Sequence, residues 1–512
     1  MSAARATRIA AVVAVLFAAA RVIWFATVHE KPALGSEAAD LHRSMFYHWG
    51  LRGHLGWSWW DQLAQDGFKP PLWYTLVPLL AAGSTVLSLA PYLLLNATLL
   101  GLLALGVHRL ARVCSGGVDA PVGAFAVLIL LGLPGVQGRF VVVGVEPLHA
   151  VLLVAVLLGL FRVRREGALP VLGLGLALGA GLLAKWSFAV YAAGPWLWEL
   201  ARAARDRDGR CGARLAASGA IGLSLFLLWW IPFADASQIV ATAVAEPTLA
   251  SDPVGRRLYY VRALGATLGG GVLIAPLVGL LWVRSGVPYR RVGALVAAIV
   301  SLLAVHWLLP HKELRYLLPM LGPAAVLLAI PLGEIAGGRT RFPRGSASVV
   351  LLPIILTAVS GAGGPRLQPL DRELRLAPDR SAYGLEAIVE HPSLGTRARN
   401  VVTYSMPEEP VAPAMTALHW AFYGRNAVPT LSRGNHEDLT ARAAAFDLER
   451  STHVVVSRAP GDQEVAALRS MGFRRVVESA PVDLLEFSDL DLWVLDPRAS
   501  PPKRGPGPPP PR

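Results

Sequence analysis

Charge is scarce in this chain. Only 16% of its 512 residues are charged, where a water-soluble globular chain carries about 25%. With a mean hydropathy of +0.47, that deficit excludes an ordinary soluble enzyme and fits a body solvated by lipid. Cysteine is nearly absent too. Cys114 and Cys211 are the only two, and both fall in or beside arginine-bearing loops, so neither a disulfide framework nor a cysteine metal site is expected. Acidic residues are outnumbered, giving a net charge of +13. In a membrane chain that excess belongs to cytoplasmic loops and does not mark a nucleic-acid partner. No soluble-type repeat is present.

What the sequence does have is apolar length. Several runs reach the ~20 residues that a helical span requires. The first, Ile9–Val28, follows Arg5 and Arg8 as a signal peptide would. It is longer than a signal core and contains Arg21 and Trp24, so it reads as a retained span. Arginine-bearing loops recur at 109–112, 162–165, 202–214, 284–291 and 339–344. Placing all five in the cytoplasm puts the other turns outside. These are the long loop 29–71, a turn near Gln137 to Arg139, a turn at Lys185, the stretch 234–260, and the turn His311-Lys312-Glu313-Leu314-Arg315. Residues 72–112 hold two apolar blocks but must cross an odd number of times, so one block is expected to lie within protein or in the interface. The total is roughly eleven to thirteen spans.

The composition changes at 363. Short apolar runs at Val401-Val402-Thr403-Tyr404, His453-Val454-Val455-Val456 and Leu492-Trp493-Val494-Leu495 read as strands. Residues 411–423 and 462–471 read as helices between them. The expected architecture is therefore an all-α polytopic membrane domain over 1–362, a small extracytoplasmic α/β domain over 363–498, and a proline-rich disordered tail over 499–512.

The polar residues of the apolar body collect on the face assigned to the outside: Glu37, Asp40, Lys69, Arg139, Glu146, Lys185, His311, Lys312, Glu313 and Arg315. Ionisable groups in or beside spans are costly, which makes them functional candidates. The bland alternative is that the basic ones snorkel to the interface. Their shared sidedness across separate hairpins argues against it. Glu37 is the best-placed general base, able to take a proton from an attacking hydroxyl or amine. With Asp40 it can also hold a divalent cation. Glu146 interrupts Val141-Val142-Val143-Gly144-Val145 and precedes Pro147. It needs a cationic partner there, for which Arg139 and Lys185 are the candidates. Lys69, before Pro70-Pro71 at a helix start, can hold the phosphate of a polyprenyl carrier as a point charge. His311, Lys312 and Arg315 can add to that anion site. Histidines 29, 42, 48 and 54 could form a metal site, but their irregular spacing favours interfacial or carboxylate-paired roles. Trp57, Trp59 and Trp60 read as an interfacial belt.

These segments resemble the GT-C glycosyltransferases, multi-span enzymes that use lipid-phosphate sugars at the non-cytoplasmic face. Within that group, Ser36-Glu37-Ala38 and Lys69-Pro70-Pro71-Leu72-Trp73-Tyr74 are similar to the bacterial protein O-mannosyltransferase and aminoarabinose-transferase relatives. So are the Arg139 to Leu148 hairpin with Glu146, the Leu183-Ala184-Lys185 segment, and Arg315-Tyr316-Leu317-Leu318-Pro319. The order is kept over about 10–336. Ser36 stands where those relatives usually carry Asp. The turn from His311 to Tyr316 is more like the His-Lys-Glu-x-Arg-Phe signature of dolichol-linked mannosyltransferases, whose first-loop His-Pro-Asp-Glu is missing here. The resemblance implies an inverting transfer from a polyprenyl-phosphate sugar to a lipid, glycan or protein acceptor at the plasma membrane. Glu37 or Asp40 would activate the acceptor, with Glu146 a further catalytic acid. The phosphate would sit near Lys69 and Arg315, and Arg139, Lys185, His311, Lys312, Glu313 and Tyr316 would complete substrate binding. A transporter or flippase of lipid-linked saccharide is the competing class. Its charges would be expected at the bilayer midplane, whereas here they gather on one face.

Overall fold

The computed structural model describes residues 3–28, 58–65, 69–81, 89–116, 121–164, 167–237, 253–269, 292–308 and 314–336, a few positions between 40 and 51, and, toward the C-terminus, 401–405, 433–435, 453–456, 462–470, 473–478 and 491–495. The chain forms two compact units. One comprises Met1–Thr27, Tyr47–Val77 and Leu89–Ala377, and the other Val28–Phe46, Pro78–Ser88 and Pro378–Arg512.

The first unit is helical. Among the described residues, four segments are long and apolar enough to cross a bilayer: Ile9–Val28, Tyr92–Cys114, Gly209–Phe233 and Leu314–Ala336. Three shorter apolar helices, Val122–Gly132, Ala168–Ala184 and Gly293–Leu308, accompany them. The chain is an integral membrane protein. Some expected spans, within 270–291 and 337–362, lie outside the described residues.

Helix α1 (Ala3–Val28) is peripheral and α13 (Leu318–Ala336) central: 17% of the first's most apolar window is buried against 89% of the second's. Arg21 of α1 is not left in lipid. Its Nη1 donates to the Gln137 carbonyl at 3.2 Å. The short α2 (Trp59–Gln65) starts at a reciprocal cap. Ser58 N and Oγ donate to Asp61 Oδ2 at 2.7 and 2.6 Å, and Asp61 N donates to Ser58 Oγ at 3.1 Å. Those bonds hold the Asp61 carboxyl below the usual range.

The two apolar blocks of 72–112 differ in length. Helix α3 (Leu72–Ala81) has 10 residues and rises about 15 Å, half of a ~30 Å hydrocarbon core. Helix α4 (Leu89–Cys114) has 26, enough to cross alone.

Helix α5 (Val122–Gly132), the short α6 (Pro134–Arg139) and α7 (Glu146–Arg162) follow, with α5 and α7 each packed on α4 and α13. Helices α8 (Ala168–Ala184) and α9 (Phe188–Arg205) come next, and α10 (Gly209–Phe233) follows. Then come α11 (Pro253–Leu268), α12 (Gly293–Leu308) and a 3-10 turn at Leu314–Leu317 leading into α13. The most extensive helix pairings are α8 with α10, α9 with α12 and α13 with α5. Glycine permits the first. A Cβ on Gly175 or Gly179 would lie 2.7 Å from Ile221 or Leu225, so this small-x-x-x-small pair lets α8 close on α10 where lipid supplies no hydrophobic drive.

One end of this bundle is fastened by ions. Glu199 of α9, buried, accepts from Arg164 Nε and Nη2 at 3.2 and 2.9 Å and from Arg202 Nη1 at 3.3 Å. Burial pulls the Arg164 guanidinium down, but the hydrogen bond and charge of Glu199 more than offset this and hold it above its ordinary value. Arg214 Nη1 donates to the Arg164 carbonyl at 3.4 Å, and Asp208 caps α10 by accepting from Cys211 N at 2.9 Å. Two arginine-rich loops assigned to one face thus meet here. Cys114 and Cys211 are free thiols.

The second unit holds a five-stranded sheet in the order β2-β1-β3-β5-β4, with β1 Val401–Ser405, β2 Arg433–Asn435, β3 His453–Val456, β4 Phe473–Glu478 and β5 Asp491–Leu495. Strand β1 is parallel to β2 and β3, while β5 is antiparallel to β3 and β4. Helix α14 (Asp462–Ser470) precedes β4, with Leu468 and Phe473 buried. The strand-like runs at 401, 453 and 492 coincide with β1, β3 and β5. The helix expected at 411–423 lies outside the described residues.

Candidate active site at the Glu146 end

Pro147 occupies the first turn of α7, where its missing N–H costs nothing. Glu146 therefore stands at the helix N-terminus, which favours a carboxylate. The preceding loop is held from outside. Asn96 of α4, fully buried, donates through Nδ2 to the carbonyls of Phe140 and Val142 at 3.1 and 2.8 Å. Gly144 leaves room for the carboxylate itself, since a Cβ there would lie 2.6 Å from Glu146 Oε2.

Lys185 lies in the break between α8 and α9, with extended backbone. Its N–H donates to the Gly181 carbonyl at 3.1 Å, and its carbonyl accepts from Phe188 N at 2.9 Å. The Phe188 ring packs directly on Gly181, in space any side chain would fill. Arg315 comes from the 3-10 turn before α13.

The three charges converge. Lys185 Nζ lies 3.5 Å and Arg315 Nε 3.6 Å from Glu146 Oε1. The Glu146 side chain is 5% exposed, Lys185 19% and Arg315 14%. Oε1 accepts no hydrogen bond among the described residues, so the contacts are electrostatic and looser than the Glu199 set. Two cations flank one acid at a buried position. Cations held in a low dielectric attract an anion strongly. Lysine offers a point charge and arginine a planar fork, the usual pair of groups for a phosphate.

Tyr316 forms the wall beside them. Lys185 Nζ stands 5.1 Å and Arg315 Cζ 5.4 Å from its ring centroid, within cation–π range. Buried aromatic and imidazole rings continue inward: His306, Tyr191, Tyr260, His149 and Phe188.

Of the residues singled out from sequence, Glu146, Lys185, Arg315 and Tyr316 are thus brought together. Arg139 ends α6, half-buried, on the loop that delivers Glu146. Among the described residues, the cations within 4 Å of the carboxylate are Lys185 and Arg315; Lys185 was one of the two candidate partners. Lys69, half-buried before α3, sits 5.9 Å over the Tyr74 ring. Tyr74 stacks on Tyr47 at 6.0 Å, and Trp59 Nε1 donates to Thr75 Oγ1 at 3.0 Å. Asp40 is buried in the second unit, its backbone carbonyl accepting from Ser44 Oγ at 2.9 Å. Glu37, His311, Lys312 and Glu313 lie outside the described residues. Among those described, no three His, Cys, Asp or Glu side chains gather as a metal-binding group.

Asn96, His149 and His306 escaped sequence reasoning. His149 carried a usable signal: three residues after Glu146 on one helix, it shares a face with it. His306 is a lone histidine in an apolar run, and Asn96 a lone amide in another, with nothing local to mark either.

No family model matches the chain, and no curated protein matches it in sequence. Solved structures do match in fold. The crystal structure of ArnT from Cupriavidus metallidurans in the apo state superposes with a TM-score of 0.62 at 14% identity, covering 97% of this chain and 99% of that one. ArnT bound to undecaprenyl phosphate gives 0.59 at 14% identity, covering 96% and 99%. The mycobacterial arabinofuranosyltransferase AftD gives 0.50 at 15% identity over 97% of this chain, which spans 42% of AftD's length. A body of apolar helices, with a buried carboxylate held between a lysine and an arginine at one end, thus shares the fold of ArnT.

Proposed function

We propose that this protein is an integral-membrane glycosyltransferase. It moves a sugar from a polyprenyl-phosphate donor to an acceptor on the extracytoplasmic side of the plasma membrane, with inversion. The observation that carries the reading is the buried Glu146–Lys185–Arg315 cluster, on a fold whose ArnT representative has been solved with undecaprenyl phosphate.

In this reading Lys185 and Arg315 attract the donor phosphate and stabilise the negative charge that grows on it as the sugar departs. Glu146 keeps the two cations apart from solvent and aimed at one point. Lys69 adds a further cation for the phosphate. The acceptor hydroxyl or amine attacks the anomeric carbon as the bond from that carbon to the phosphate oxygen breaks. The acceptor proton passes to Glu37 or Asp40, and polyprenyl phosphate leaves. Residues 363–498 would cover or select the acceptor.

Deleting the gene tests this in the cell. Mass spectrometry of surface glycans and lipid-linked sugars should show a glycan lacking one residue and accumulation of its polyprenyl-phosphate donor. Unchanged pools of both would remove the transferase reading.

A further inference from the structure

One buried group touches the candidate site without belonging to it. His306 of α12 is 2% exposed. Its imidazole stacks on the Tyr316 ring with centroids 4.7 Å apart and planes only 9° apart. Tyr191 of α9 and Tyr260 of α11 flank the same imidazole at 5.9 and 6.3 Å. The ring it stacks on is the one over which the Lys185 ammonium and the Arg315 guanidinium stand. A cation is attracted to an aromatic face by the ring's quadrupole, so its preferred position moves when the ring tilts. A stacked neighbour fixes that tilt.

We propose that His306 is a positioning residue. Through its stack on Tyr316 it sets where Lys185 and Arg315 place their charges, and so sets the affinity of the site for the phosphate of a lipid carrier. The inference rests on the transferase reading above and deepens it. The role needs a flat ring of imidazole size on α12. It does not need the ring to bear a charge. A phenylalanine can stack at that position and an alanine cannot. Polar burial in an otherwise apolar helix also gains a reason, because the tyrosines of three neighbouring elements enclose the imidazole edge and face.

The experiment is equilibrium binding of undecaprenyl phosphate to the full-length protein in nanodiscs, read by native mass spectrometry, with melting temperature recorded for each variant. Lys185→Ala should weaken binding by at least about 10-fold, as loss of a buried phosphate contact does. His306→Ala should weaken it by about 5-fold, the size of one cation–π contact. His306→Phe should bind within 2-fold of the native protein, a margin smaller than that contact. Native affinity in His306→Ala, with Lys185→Ala weakened, overturns the role of His306 alone. Native affinity in Lys185→Ala overturns the phosphate-site reading beneath it. Should His306→Ala fail to fold, His306→Phe decides: native affinity supports the stack, and loss of affinity overturns it.

Discussion

Glu146 and Glu199 are both buried carboxylates, each facing two cations, at opposite ends of the same helical pairs. Glu146 opens α7 beside the turn into α9, and Glu199 lies near the end of α9 beside the residues that follow α7. The 17 residues of α7 put about 25 Å between those ends. Glu199 is saturated, with three hydrogen bonds of 2.9–3.3 Å from Arg164 and Arg202. Glu146 has its cations at 3.5 and 3.6 Å and no hydrogen bond on Oε1 among the described residues. Saturated, hydrogen-bonded ions fasten loops. Loosely held ions beside a polarisable wall are suited to receive a charge. The contrast in geometry supports reading the Glu199 end as a structural clamp and the Glu146 end as the proposed reaction site.

The largest expected effect comes from breaking the loose end. Glu146→Gln should lower sugar transfer by about 100-fold, as misplacement of charged groups at a reaction centre does, with secondary structure by circular dichroism unchanged. Transfer within a few-fold of native would remove Glu146 from the site. Glu199→Gln should do the opposite: about 2 kcal/mol lost in stability, less than the 3–5 of a fully desolvated pair because its arginines are partly exposed, with transfer per folded molecule retained. Denaturant or thermal melts in detergent, paired with a transfer assay, separate the two outcomes. A fall in transfer per folded molecule would mean that the ends are coupled.

Asn96→Ala should cost about 1–2 kcal/mol, because it leaves two carbonyls of the loop before Glu146 without their donor. Its effect on transfer should exceed its effect on melting if that loop exists to deliver Glu146. Smallest is Arg205→Ala. Its side chain is 62% exposed beside Asp206, and a surface pair of this kind contributes ~0–1 kcal/mol. A melt shifted by several degrees would show that the Glu199 end is more tightly networked than its geometry indicates.

Much of the bundle was legible in the sequence because lipid leaves a polytopic chain little choice. Apolar length gave the helices around Ile9–Val28, Tyr92–Cys114, Gly209–Phe233 and Leu314–Ala336. Glu146 and Lys185 stood out because a charge inside an apolar run is expensive. The convergence of Glu146 with Arg315 across 169 positions depends on how α7 and α13 pack, which no local pattern encodes. Asn96 and His306 were invisible for the same reason: each acts on a partner far along the chain, and each looks like an ordinary polar interruption. The inequality of α3 and α4 was hidden because apolar composition reports that a segment is buried and does not report in what.

The most direct measurement of the contrast between the two ends is sugar transfer from a polyprenyl-phosphate donor by the purified full-length protein in nanodiscs, for the native chain, Glu146→Gln and Glu199→Gln in parallel. The expected result is native-level transfer per folded molecule in Glu199→Gln and about a 100-fold loss in Glu146→Gln. Equal losses in both variants, or none in either, would contradict the assignment of one end to chemistry and the other to structure.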